Sequence, residues 1–133
     1  MDPIANMFTQ LKNAGNASKK EVAISYSKLN LAILEILKNK GFIGAISLEK
    51  KENQKYPSKI IVSLKYKAKN ELNFSNIKRV SRPGQRVYVT SSRIGELMRG
   101  RSEVLVSTSQ GIMGGYEARK KGLGGEVIGE VMQ

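Results

Sequence analysis

The sequence predicts an α+β fold made of two small α+β subdomains packed together. The N-terminal one, residues 1–68, has the order α-β-α-β-β. The C-terminal one, residues 69–133, is mostly β with short helices. Three observations predict this. Apolar residues recur at helical spacing in two segments, Ile4-Met7-Phe8-Leu11 and Leu29-Ile33-Ile36-Leu37, as helices with one buried face require. Residues 58–66 alternate instead, setting Ile60, Val62, Leu64 and Tyr66 against Lys59, Ser63 and Lys65, the pattern of a strand with one wet face. A polar stretch, Lys67–Asn73, then separates this half from a second half of shorter elements. A chain of 133 residues suits one domain, or two subdomains sharing a core, and can bury an apolar interior without staples.

The elements follow in order. The first helix is predicted from Asp2 to Ala14, with Asp2 as N-cap, Pro3 at N1, and Gly15 and Asn16 to end it. Glu21–Tyr26 reads as a short strand. A second helix starts after Ser27, a good N-cap, and stops at Gly41; Lys38 and Lys40 complement the negative end of its dipole. Ile43–Glu49 and Ser58–Tyr66 read as an antiparallel hairpin joined by the polar turn Lys50–Pro57, and Lys67–Asn73 as a linker. Beyond it, Ile77–Val80 and Arg86–Thr90 read as strands around the turn signal Arg82-Pro83-Gly84. Ile94–Met98 reads as a brief helix. Glu103–Ser107 and Glu126–Val131 read as strands, with a short helix at Tyr116–Lys121 between them.

Composition narrows the function. The chain carries 23 Lys and Arg against 11 Asp and Glu, a formal net charge of +12, which favours a polyanionic partner, nucleic acid first. Every basic residue before Glu71 is lysine. After it come Arg79, Arg82, Arg86, Arg93, Arg99, Arg101 and Arg119, beside Lys78, Lys120 and Lys121. Arginine offers a planar fork suited to phosphates and base edges, so the more exacting contacts are expected in the second half, unless the bias is compositional drift. There is no cysteine and no histidine. Disulfides, thiolate metal sites and the commonest nucleophile and general base are thereby excluded. Asp2 is the sole aspartate, and the glutamates are scattered singly rather than clustered as a metal-dependent nuclease needs. No enzyme, metal or cofactor is expected. The N-terminus lacks the order of a signal peptide, and no apolar run approaches the roughly 20 residues that span a bilayer. The expectation is a soluble intracellular protein with no membrane role.

Val104-Leu105-Val106-Ser107-Thr108-Ser109-Gln110-Gly111 is the most informative stretch. Short hydroxyls both give and take hydrogen bonds, as contact with a ribose-phosphate surface and its 2′-hydroxyls demands. They also commonly serve an ordinary strand end and turn; both readings stay open. Gly122-Leu123-Gly124-Gly125 follows a basic helical stretch and leads into a strand, the reverse of a phosphate loop. These glycines are expected to let the chain turn tightly and lie close to its neighbours.

These same residues carry a resemblance. Ser107–Met113 and Glu117–Ile128 closely resemble the C-terminal signature of bacterial-type ribosomal protein S8 (the uS8 family). Asp2–Ala14, Tyr56-Pro57 and Arg82–Tyr88 fit that family too, so the likeness spans essentially the whole chain. It implies two α+β subdomains and a structural role in the small ribosomal subunit. It further implies primary binding to small-subunit rRNA at an irregular helix of the central domain, help in subunit assembly, and no catalysis or cofactor. The implied RNA-binding residues are Ser107, Thr108, Ser109 and Gln110, then Tyr88, Gly122 and Gly124, with Lys55, Thr9 and Asn13 in the N-terminal half. Implied partners are the rRNA, neighbouring small-subunit proteins and, as in some members, the messenger of its own operon. The free protein is expected to be a monomer, and its place the ribosome of a bacterial cytoplasm or an organelle. The chain departs from the pattern at Gln110, where a basic residue is most frequent. It departs again at Gly114-Gly115-Tyr116, where Thr-Asp-basic is typical, and at a C-terminus without the usual aromatic. Two glycines are expected to cap the following helix poorly and loosen its start. Two rivals are a compacting protein without a fixed nucleic-acid partner and an RNA-cleaving enzyme using Lys or Glu.

Overall fold

The computed structural model describes residues 2–68, 71–98 and 102–132. The chain forms two compact units, one spanning Pro3–Asn73 and the other Phe74–Gln133 with the first two residues.

In the first unit, helix α1 (Pro3–Asn16) buries Ile4, Met7, Phe8, Leu11 and Ala14 along one stripe. It runs past the predicted stop. Gly15 lies inside it, at a place where a Cβ would collide with the side chain of Leu72. The helix ends instead at Ser18, which takes the left-handed φ of 56°. Ser18 N–H then reaches Gly15 O and Lys19 N–H reaches Ala14 O, both at 3.0 Å, the paired bonds of a Schellman end with serine in place of the usual glycine. Strand β1 (Glu21–Ser25) follows, then α2 (Lys28–Asn39). Ser27 caps α2 as expected, its side-chain oxygen accepting from Asn30 N–H at 3.0 Å. The buried face of α2 is rotated from the predicted one. Asn30, Ile33, Leu34 and Leu37 are buried, whereas Leu29 is 42% exposed. Asn30 turns inward because its side-chain amide donates to Ser25 O at 3.1 Å, tying helix to strand.

Strands β2 (Ile43–Glu49) and β3 (Lys59–Leu64) form the predicted hairpin, and β1 pairs with the other edge of β3. All pairings are antiparallel, with Val62 between Val22 and Ile46. Ile24, Ile60 and Val62 are fully buried. The polar segment after β3 is not a bare linker. Tyr66–Ala68 (β4) and Glu71–Leu72 (β5) pair antiparallel, residues 69 and 70 lying outside the described residues. Tyr66 donates its hydroxyl to Lys19 O, and Asn73 donates its side-chain amide to Gly41 O. These long-range bonds hold a segment that has no apolar pattern of its own.

The Ser27 cap gives one measurable consequence. Ser27→Ala is expected to cost about 1 kcal/mol in denaturant unfolding, and Ser27→Gly only a few tenths. Equal midpoints for Ser27→Ala and the parent would show that the bond contributes nothing.

The second unit contains β6 (Asn76–Arg79), β7 (Tyr88–Val89), α3 (Ser91–Leu97), β8 (Ser102–Thr108), β9 (Gly111–Gly114), α4 (Gly115–Lys120) and β10 (Gly125–Met132). The sheet order is β6-β10-β8-β9, and β7 also pairs with β10. Thus β10 is the organising strand. One edge takes β6 along its C-terminal half and β7 along its N-terminal end; the other takes β8. Ile94, Val104, Val106, Ala118 and Val127 form the core on the helical side, with Val80, Val87, Val89, Met98 and Met113 packed around it. Ser81, fully buried, closes the loop between β6 and β7. Its hydroxyl accepts from Val87 N–H at 2.8 Å and donates to Val87 O at 3.3 Å. Within the same unit, Arg79 Nε donates to Asp2 Oδ2 at 3.0 Å and its Nη1 to Ile128 O at 2.6 Å.

Candidate nucleic-acid interface

The hydroxyl-rich segment is a tight β-hairpin, because the predicted strand β8 is followed at once by β9, which period-2 reading missed. Thr108 pairs with Gly111, leaving only Ser109 and Gln110 at the tip. Among the described residues only Ser18 and Asn53 carry a positive φ without being glycine. The left-handed residue that such a tip needs is therefore Gly111, at φ 108°, as in a type I turn closed by a glycine bulge. Thr108 locks the turn from inside. Its Oγ1 accepts from Gln110 N–H at 3.1 Å and donates to Gly111 O at 2.8 Å. Thr108 is thus a turn residue, and the turn it makes leaves Ser109 and Gln110 exposed.

Register places the rest of this end of the sheet. Tyr88 stands opposite Glu126, Glu126 opposite Ser107, and Ser107 opposite Ile112. Directly paired residues share a face, so Tyr88 and Ser107 flank Glu126 in one cross-strand row. Tyr88 is 69% exposed. A carboxylate at the centre of this row would repel a phosphate backbone. Arg86 offsets it, its Nη1 lying 3.1 Å from Glu126 Oε2. Sequence reasoning did not single out this pair, although both residues stand in quoted motifs; only strand pairing shows that residues 40 positions apart meet.

The glycines bring these strands together. Gly122, at φ 69°, ends α4, with Gly122 N–H bonded to Arg119 O at 3.1 Å and Leu123 N–H to Ala118 O at 2.8 Å. A Cβ on Gly124 would collide with Val89 O and lie 3.0 Å from Thr90 Cα. A Cβ on Gly125 would collide with Ser107 O. The expected close approach is therefore to the chain's own strands β7 and β8.

Lys55, Thr9 and Asn13 belong to the first unit. Thr9 and Asn13 are exposed one helical turn apart on α1, and Thr9 donates its hydroxyl to Ala5 O at 3.0 Å. Lys55 is exposed between β2 and β3, its Nζ 5.7 Å from the Tyr56 ring centroid. Arg99 and Arg101 lie outside the described residues. Among the described residues no helix is long and apolar enough to cross a membrane.

The family model for ribosomal protein S8 matches residues 2–132. The chain belongs to the ribosomal protein S8 family. Among its curated relatives are proteins named small ribosomal subunit protein uS8. That of Salinispora arenicola is 40% identical over 127 residues, covering 96% of this chain and 94% of the relative. That of Mycoplasmopsis pulmonis is 42% identical over 127 residues, covering 96% and 93%. That of Phytoplasma australiense is 43% identical over 130 residues, covering 98% and 96%.

The positions at which the resemblance implied departures have the following settings. Gln110 sits at the exposed hairpin tip. Gly114, the N-cap of α4, makes no side-chain cap bond. The expected looseness is nevertheless corrected. Glu103 Oε1, from β8, accepts from Gly115 N–H at 3.0 Å, satisfying a first-turn donor from another element. Gly115 is also buried against its neighbours, since a Cβ there would stand 2.7 Å from Met98 Sδ and 3.0 Å from Ile94 Cγ2.

Proposed function

We propose that this chain is a structural constituent of the small ribosomal subunit, binding small-subunit rRNA at an irregular helix of its central domain and assisting assembly without catalysis. Its place is then the ribosome, its neighbours the adjoining small-subunit proteins, and its free state a monomer. The messenger of its own operon is a second RNA that this reading allows. The observation that carries the proposal is the family match across residues 2–132, joined to a pre-organised, hydroxyl-bearing hairpin tip. The relatives are themselves named as small-subunit proteins.

The proposed contact residues are Ser107, Thr108, Ser109 and Gln110, with Tyr88, Gly122 and Gly124, in the second unit, and separately Lys55, Thr9 and Asn13 in the first. The C-terminal half, residues 69–133, carries the main contact. Two kinds of interaction divide the work. Lysine and arginine supply salt-sensitive attraction to phosphates, indifferent to sequence. The tip supplies shape: its short alcohols fit a shallow minor groove and bond 2′-hydroxyls and base edges, which a distorted helix displays differently from a regular one. Its energy comes partly from pre-organisation, because Thr108 has already ordered the turn.

The test is a comparison of a bulged rRNA helix with a perfect duplex of matched length at physiological salt. The bulged helix is expected to bind at least about a hundredfold more tightly, well short of the widest specificity ratios known for nucleic-acid binders. Lys55→Ala is expected to weaken both complexes alike and to lower the salt slope by about one. Equal affinity for the two RNAs would support the compacting-protein reading instead.

A further inference from the structure

Helix α4 presents Tyr116, Arg119 and Lys120 at i, i+3 and i+4, spacing that puts all three on one face. All are exposed, Tyr116 at 59%, and together they line one open surface hollow. The Arg119 guanidinium lies against Gly95 of α3, where an added Cβ would stand 2.8 Å from Nη1 and 3.1 Å from Cζ. Gly95 therefore leaves room for the guanidinium to pack on the neighbouring helix, which limits how far the fork wanders. The nearest α3 carboxylate in sequence, Glu96, faces Arg93 at 3.8 Å, so a cation of α3 itself offsets its charge.

An exposed phenol ring beside a guanidinium packed on α3 and an exposed lysine ammonium matches one ligand chemistry closely. The ring offers a face to a nucleobase, and the two cations offer forked and point-like contacts to the phosphate beside it. A regular duplex keeps its bases stacked internally and cannot use the ring. We propose that this face of α4 is an accessory site for a single unstacked nucleotide of the bound RNA, with Tyr116 stacking on the base and Arg119 and Lys120 holding its phosphate. The proposal rests on the RNA-binding reading above but on a different element from the Thr108–Gly111 turn.

The test uses the full chain and transcribed small-subunit rRNA. Affinity and salt slope are measured for the parent, Tyr116→Phe, Tyr116→Ala, Arg119→Ala and Thr108→Trp. Tyr116→Ala is expected to weaken binding about tenfold with the slope unchanged, Tyr116→Phe to match the parent, and Arg119→Ala to lower the slope by about one. Ultraviolet crosslinking of the unaltered chain, read by peptide mass spectrometry, is expected to place a nucleotide adduct on Tyr116. Tyr116→Ala within twofold of the parent, while Thr108→Trp fails to bind, overturns the α4 site and spares the main reading. A Tyr116→Phe as weak as Tyr116→Ala also overturns it, since the ring is then not the contact. If Thr108→Trp binds like the parent, the main reading fails and the accessory site falls with it.

Discussion

Thr108→Trp is expected to reduce affinity for the cognate rRNA helix to the level of non-specific binding, about a thousandfold or more, the low end of the usual gap between the two modes. The salt slope should barely change, because no phosphate-contacting cation is lost. Two effects add. The indole removes the hydroxyl that accepts from Gln110 N–H and donates to Gly111 O, so the turn loses its internal lock. It also places a large ring where close approach to the groove is needed. Thr108→Ser separates them: it keeps the hydroxyl and the lock, and is expected to bind within about tenfold of the parent, as loss of one small contact implies. Filter binding or isothermal calorimetry across a salt series reads all of this. Cognate binding by Thr108→Trp at parental strength would place the recognition surface elsewhere.

The second large effect is on stability. Gly125→Ala is expected to cost roughly 3 kcal/mol, the upper end for overpacking a tight site. The added methyl meets backbone: the Ser107 carbonyl, whose carbon would be 2.9 Å away, and Thr108 Cα at 3.2 Å. No rotamer change relieves such a clash, so β10 must part from β8 where Glu126 faces Ser107. RNA affinity should fall in step, because the strand displaced is the one that ends in the hairpin tip. Gly41→Ala is the contrast. Its position, at φ 83°, has open space around the new methyl. Only left-handed strain is added there, roughly 1 kcal/mol. Chemical denaturation of both variants decides the matter; a cost at Gly125 no larger than at Gly41 would mean that strand contact is not what requires glycine.

The readable and unreadable parts of the fold divide along a physical line. Helices α1 and α2 and strand β3 were legible because each carries its own period, and because Ser27 and Gly41 are local start and stop signals for α2. The rotated face of α2 was not legible: Leu29 is as apolar as Leu34, and the inward turn of Asn30, bonded to Ser25 O, belongs to packing against another element. Strands β4 and β5 were hidden by polar composition, since long-range bonds from Tyr66 and Asn73 hold them. Strand β9 was hidden by brevity. Gly111-Ile112-Met113-Gly114 shows no useful alternation and exists through its pairing with β8.

The same division runs through the candidate site. Residue types alone determined the strong positive charge, the lack of His and Cys chemistry, the hydroxyl-rich segment and membership of the S8 family, because these depend on what the residues are and in what order they come. Only the tertiary structure decided that Thr108 spends its hydroxyl on its own turn, that Arg86 neutralises Glu126 between Tyr88 and Ser107, and that Glu103 accepts from Gly115 N–H in place of the side-chain cap missing at Gly114. Each of these joins partners through strand register or helix packing, and register is a property of two segments at once, which neither segment carries alone.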